Sequence, residues 1–130
     1  MEGMSVQKVQ DLTGFSAHTL RYYEKAGLMI HPVGRAANGH RRYSEDDVYW
    51  LRFVHRLRQT AMPIADIPRY AELARQGEST VHQRLALLES HRDAVRARLQ
   101  QTTEFLGSIE RKIDHYRDYY RQELTETKVA

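Results

Sequence analysis

Twelve positions in the second half of this chain constrain its fold more than anything else in it. Residues 81, 85, 88, 92, 95, 99, 102, 106, 109, 113, 116 and 120 alternate spacings of four and three without a break, and ten of the twelve are apolar or aromatic. The ten are Val81, Leu85, Leu88, Val95, Leu99, Leu106, Ile109, Ile113, Tyr116 and Tyr120, with Arg92 and Thr102 as the exceptions. A period of 3.5 sustained this long describes a coiled-coil seam. A helix of about 40 residues is about 60 Å long, more than a preceding domain of this size can cover. The alternative is a single helix packed on its own domain. Self-association is the stronger expectation, with those ten side chains as the dimer interface.

The residues ahead of the seam change period several times. Ser5 is placed to cap a short helix that turns Val6, Val9 and Leu12 inward, with Gly14 at its left-handed end. Ser16 opens a second helix, Ala17 to Ala26, closed by Gly27. Two short helices joined by about three residues with a glycine between them form a helix-turn-helix pattern. Leu28, Met29 and Ile30 then suggest a short strand, and Arg41 to Tyr43 a return against it, with Asn38-Gly39 suited to the tight turn. The sum is a small β-wing. Ser44 and Asp47 resemble a capping box for a helix carrying Val48, Leu51, Val54 and Leu57. Pro63 starts a further helix reaching Gly77; Pro68, which has no amide to donate, fits only if that helix begins late or kinks, and a bend is expected there. Thr80 with Gln83 forms a second box that opens the seam helix.

Charge is concentrated where this pattern sits. Residues 1–77 carry 11 Lys/Arg against 8 Asp/Glu, whereas residues 78–130 carry 9 of each. Within 18–43 there are five basic residues (Arg21, Lys25, Arg35, Arg41, Arg42) against Glu24 alone, with His18, His31 and His40 nearby. A polyanionic partner requires such a stretch, although a solvated surface would also carry one. Arginine on a helix can bond guanine bidentately, while Thr and Tyr hydroxyls reach phosphates. Thr19, Arg21, Tyr22 and Tyr23 fall within one turn, with Leu20 toward the core. Tyr22-Tyr23 would alternatively be a half-buried aromatic pair.

Other classes of function find little support. No His-Glu-x-x-His, glycine-rich phosphate loop or activated nucleophile occurs, so no enzyme is expected. Glu45-Asp46-Asp47 reads as helix-capping carboxylates more simply than as a metal site. Cysteine is absent, which removes disulfides and thiolate metal sites. No metal and no cofactor is expected. No run approaches the roughly 18 apolar residues of a membrane span, and no signal peptide is evident, so the expected location is cytoplasmic and away from any membrane. A coiled-coil adaptor or an architectural DNA-binder without a promoter role is the alternative to a regulator.

Thr19-Leu20-Arg21-Tyr22-Tyr23-Glu24-Lys25 with Gly27-Leu28, followed by Asn38-Gly39-His40-Arg41-Arg42-Tyr43, resembles the MerR family of bacterial transcription regulators. The order of helix-turn-helix, wing, helix pair and long helix is similar as well. The resemblance implies a mainly α fold, a winged helix-turn-helix over 1–77 and an antiparallel coiled-coil dimerisation helix over 78–122, with 123–130 a disordered tail. It implies double-stranded promoter DNA as partner and a homodimer on a pseudo-palindromic operator, with the second helix in the major groove and the wing on the flanking backbone. RNA polymerase would be affected indirectly, through bending and untwisting of an over-long promoter spacer. The DNA-contacting set expected on this basis is Ser5, Ser16, His18, Thr19, Arg21, Tyr22, Tyr23, Lys25, Arg35, Asn38, Gly39, His40, Arg41, Arg42 and Tyr43. The protein would associate with the bacterial nucleoid when bound.

Glu45 to Leu51, Tyr70 to Leu73 and Gly77 to Thr80 look closest to the small branch of aldehyde- and thiol-stress regulators. Those relatives sense through a cysteine in the third helix, where this chain has Arg56. His40 also departs from the Tyr or aliphatic residue more usual there. Thiol chemistry is therefore not expected to carry the signal. A small ligand near His55, Tyr70 and His82, between the long helix and the partner's third and fourth helices, or a change in protein level, is the expectation in its place.

Overall fold

The computed structural model describes residues 3–129, with side chains to Thr127. Two units make up the chain, the first ending at His91 and the second beginning at Arg92. In the first unit, helices α1 (Val6–Thr13) and α2 (Ala17–Lys25) precede strands β1 (Gly34–Arg35) and β2 (Arg41–Arg42). Helices α3 (Glu45–Gln59) and α4 (Asp66–Arg75) follow, then a single 3-10 turn (Gly77–Thr80) and the start of α5 (Val81–Val129). Among the described residues no helix is long and apolar enough to cross a membrane.

The caps are those that the local chemistry demands. Ser5 accepts from the Lys8 amide and Ser16 from the Thr19 amide, and both have extended backbone. Ser44 and Asp47 form a complete capping box: the Asp47 amide donates to Ser44 Oγ at 3.0 Å, and the Ser44 amide donates to Asp47 Oδ2 at 2.9 Å. Glu45, Asp46 and Asp47 thus sit in the first turn of α3, where the positive end of the helix dipole favours them. One core joins the elements. Val9, Leu20, Tyr23, Tyr43, Leu51 and Val54 are each at most 1% exposed and lie in a single cluster with Leu57, Met62, Ile67 and Ala71. Leu12, expected inward, is 45% exposed.

Four further expectations need correction. Residues 28–30 are not a strand; β1 lies at Gly34–Arg35, pairing antiparallel with Arg41–Arg42. Leu28 and Met29 are both buried, which alternation in a two-sided strand would not allow. Their carbonyls go to side chains instead. Trp50 Nε1 donates to Leu28 O at 2.5 Å, and the Arg75 guanidinium donates to Met29 O and also bonds Gly27 O. Pro68 does not bend a helix, because α4 starts at Asp66 and the proline lies in its first turn, where no intrahelical donor is needed. Thr80 forms no capping box; buried, its hydroxyl donates to Leu73 O and accepts from Arg84 Nε at 3.1 Å. Finally, α5 runs on to Val129 through the stretch expected to be a disordered tail, with Ala130 outside the described residues.

The boundary between units also moves, from 77/78 to 91/92. The first turns of α5 belong to the first unit: Leu87 and Leu88 pack against its core, and Thr60 Oγ1 lies 2.7 Å from His91 Nε2. Leu88 is therefore occupied within its own unit. In the second unit Leu99, Leu106, Ile109, Ile113, Tyr116 and Tyr120 are 41% to 65% exposed. Phe105, Tyr119 and Leu124, outside the heptad pattern, add to the exposed apolar surface.

Two helices end in the same left-handed cap, one with glycine and one without. At the end of α2 the Leu28 amide donates to Tyr23 O and the Gly27 amide to Glu24 O, with Gly27 at φ 70°. At the end of α3 the Met62 amide donates to Leu57 O at 2.9 Å and the Ala61 amide to Arg58 O at 3.0 Å. This is the Schellman arrangement, with Met62 and Leu57 sharing the core beneath it. Ala61 holds φ 62° there, a region that disfavours a Cβ by roughly 1–2 kcal/mol. Glycine would remove that strain at some cost in unfolded-state entropy. Ala61→Gly is expected to stabilise the protein by about 0.5–1 kcal/mol in urea unfolding; a destabilisation would show that the Ala61 methyl contributes packing.

Candidate nucleic-acid interface

Helix α2 is nine residues long and two-faced. Leu20 and Tyr23 point into the core and are essentially inaccessible. His18, Arg21, Tyr22 and Lys25, spaced along the opposite side, are exposed and line one shallow hollow of about 260 Å³. Ser16 and Thr19 close the start of the helix, with Ser16 Oγ donating to Thr19 Oγ1 at 3.0 Å. Thr19 is half-buried with its hydroxyl so engaged, and Ser5 likewise serves as a cap.

The wing is a hairpin with its tip at Asn38-Gly39. Gly39 has φ 84°, the Ala36 amide donates to His40 O at 2.9 Å, and Asn38 Oδ1 accepts from the His40 amide at 3.1 Å. Arg35, Asn38, Gly39 and His40 are exposed, while Arg41 and Arg42 are half-buried. Glu24, on α2, reaches this hairpin: Arg41 Nε donates to Glu24 Oε2 at 2.5 Å, and Arg35 lies 3.6 Å from Glu24 Oε1. One carboxylate thus ties the wing to the helix. Arg41 acts first through that tether, whereas the sequence suggested a free cation.

Two tyrosines leave the expected contact set. Tyr43 is 1% exposed, and burial, reinforced by Glu24, pushes its phenol above the usual value. Its backbone pairs in both directions with Met4, at 2.7 and 2.8 Å, which fastens the start of the chain to the wing. Tyr23 is fully buried, so neither its ring nor its hydroxyl can reach a phosphate. The aromatic pair divides instead: Tyr23 faces inward, and Tyr22 stands outward at 44% exposure with the Arg58 guanidinium 4.9 Å from its ring centre.

The partner of Tyr23 is a residue that sequence reasoning assigned elsewhere. Tyr23 Oη lies 2.8 Å from His55 Nδ1, and Phe15 packs on the imidazole with ring centres 4.3 Å apart. Burial, then the nearby Arg58 charge, lowers the His55 pKa below its ordinary value near 6.5. The ring is neutral at pH 7, and its tautomer decides whether Nδ1 accepts the tyrosine proton or donates to Oη. Tyr70, grouped with His55 as a ligand-contacting residue, is stacked on Trp50 with ring centres 5.6 Å apart.

A short helix with a cationic outward face, tethered to a basic hairpin, is the arrangement of a winged helix-turn-helix transcription factor. Comparison with known proteins makes this specific. The family described as MerR HTH family regulatory protein matches residues 4–74, and a model described as MerR, DNA binding matches residues 48–114. The chain belongs to the MerR family of DNA-binding transcriptional regulators. An HTH-type transcriptional regulator of Haemophilus influenzae is 36% identical over 84% of this chain and 80% of its own. The regulator AdhR of Bacillus subtilis is 37% identical over 68% of this chain and 63% of its own. Among solved structures, HiNmlR, described as a MerR family regulator lacking the sensor domain and bound to promoter DNA, superposes with a TM-score of 0.81 at 33% identity. That match covers 90% of this chain and 92% of the other. A Listeria monocytogenes family member reaches 0.87 at 30% identity over 98% of both chains.

Burial of His55 gives the fold a pH dependence. Because the folded state holds His55 below its ordinary pKa, the unfolded chain binds a proton that the folded protein refuses. The stabilisation is complete above about pH 6.5 and is lost as pH falls through the folded pKa. His55→Gln, which does not titrate, is expected to flatten the fall in stability between about pH 7 and 5 relative to the parent. An identical slope in both proteins would assign the acid sensitivity to other groups.

Proposed function

We propose that the protein binds a pseudo-palindromic operator as a homodimer, with α2 in the major groove and the wing on the flanking backbone. The observation that carries this reading is the outward face of α2. Arg21 is exposed beside His18, Tyr22 and Lys25, while Leu20 and Tyr23 fix the helix from behind. Arginine held this way can present its fork to guanine O6 and N7. Lys25, Arg35, Arg42, His18, Tyr22 and the exposed wing tip at Asn38, Gly39 and His40 supply contacts to phosphate. Ser5 and Ser16 act mainly as caps, Thr19 is bonded by the Ser16 cap, and Arg41 acts as the tether to Glu24. HiNmlR bound to promoter DNA supports the same partner for this chain.

The exposed apolar side chains of α5 support dimerisation through that helix. Leu99, Leu106, Ile109, Ile113, Tyr116 and Tyr120 are exposed among the described residues, and a second copy in antiparallel orientation would bury them. Val81, Leu85 and Val95 extend the same seam. Two operator-reading units on one dimer allow the DNA between them to be bent and untwisted. Realignment of a promoter spacer in that way would act on RNA polymerase without a direct contact. The working location is the bacterial cytoplasm, at the nucleoid.

Arg21→Ala is expected to cost about 1–3 kcal/mol on a selected operator and much less on random duplex, measured by fluorescence anisotropy at fixed salt. Equal losses on both would make Arg21 a phosphate contact and displace α2 from base reading. Leu99→Asp should convert dimers to monomers in sedimentation, because the new charge would lie unpaired in the seam. A well-folded dimer in that variant would move the interface off α5.

A further inference from the structure

The largest cavity described in the first unit shares only Tyr22 with the hollow on the outward face of α2. It has a volume of about 440 Å³, toward the lower end of the roughly 300–1,000 Å³ typical of small-molecule sites. It lies between the end of α2 and the turn joining α3 to α4. Leu28, Met62 and Ile67, each 4% to 6% exposed, contribute to its apolar lining, and Ile64, 86% exposed, stands at its edge. Tyr22 and Arg58 complete the wall, with the guanidinium 4.9 Å from the Tyr22 ring centre.

We propose that this cavity binds a small monocarboxylate with an apolar body, its carboxylate paired with Arg58 and its body against Leu28, Met62 and Ile67. Charge complementarity selects the class. Arg58 is the one charged residue lining the cavity, and no carboxylate among the described residues forms an ion pair with it. A guanidinium already oriented by an aromatic face loses little freedom when it accepts a planar, bidentate anion. The apolar walls reject a fully hydrated dianion, because they offer nothing to replace its water. The Met62 side chain adapts readily to ligands of differing shape. The ligand would meet Tyr22 on the helix that reads DNA. An occupied site neutralises Arg58 next to that helix, and DNA affinity falls about two- to tenfold. That consequence rests on the regulator reading; the binding itself does not.

The test is an NMR titration of the full chain without DNA, with methyl-labelled Met and Ile, against 4-phenylbutyrate, 4-phenylbutyramide and acetate. Saturable shifts at Met62, Ile64 and Ile67 are expected with 4-phenylbutyrate. Binding should weaken at least about tenfold for the amide and in Arg58→Gln. Acetate, lacking an apolar body, should give none. Ala26→Phe fills the cavity from the end of α2 and should abolish binding with Arg58 intact. The proposal is overturned if acid and amide bind alike, if saturable shifts fall on other methyls, or if none occurs up to about 10 mM. It is also overturned if Arg58→Gln weakens binding to random duplex while neither protein binds 4-phenylbutyrate, which would make Arg58 a phosphate contact. Because no DNA is present in the titration, its failure would leave the operator reading untouched. A failed Arg21 experiment would likewise leave the titration valid.

Discussion

A nine-residue helix is too short to hold its own orientation in water, since helices below about 12–15 residues are marginal alone. The outward chemistry of α2 therefore depends on the anchoring of its inward face. Leu20 and Tyr23 provide the anchor, both buried, with the Tyr23 hydroxyl hydrogen-bonded to His55 on α3. The Gly27 cap and the Arg75 bonds to Gly27 and Met29 carbonyls then fix where the chain leaves the helix. From that position Glu24 holds Arg41, with Arg35 3.6 Å away, and the wing is set relative to α2 by one buried side and this ion-paired carboxylate. The ion pair is only partly buried and contributes modestly to stability; its role is geometric.

Much of this was legible in the residues. Serine caps, the Gly14 and Gly27 positions and the Ser44–Asp47 box each have a local mechanism that needs no tertiary knowledge. What failed was decided by long-range partners. Leu28 to Ile30 are β-prone, but Trp50 and Arg75, more than twenty residues away, take the carbonyls that a strand would have used. Tyr22 and Tyr23 are identical in type, and only the helical phase relative to the core separates the buried one from the exposed one. Arg41 looked like a free cation because Glu24 lies 17 residues before it. The α3 cap was illegible for the opposite reason. Ala61 stands where glycine normally signals the end of a helix.

The long helix shows the same division. Its 3.5-residue period was plain, and the exposed apolar residues between 99 and 120 agree with a face awaiting a partner. Its first turns are different in kind. Thr80, Leu87, Leu88 and His91 bond or pack within the first unit, so the seam helix begins as part of the head. Heptad spacing alone cannot distinguish a side chain packed on its own domain from one packed on a second copy. With no cysteine in the sequence there is no thiol to react, and the cavity at the end of α2 carries a guanidinium on an apolar wall.

Operator recognition as proposed requires two copies of α2 on one duplex. Selection from a random-sequence duplex library, followed by footprinting of the enriched sites and their stoichiometry, tests this most directly. Enrichment of a two-fold-symmetric site, with two protected blocks and two chains bound per duplex, is the expected result. A site without symmetry protected by a single chain, or no enrichment over random sequence, would contradict it.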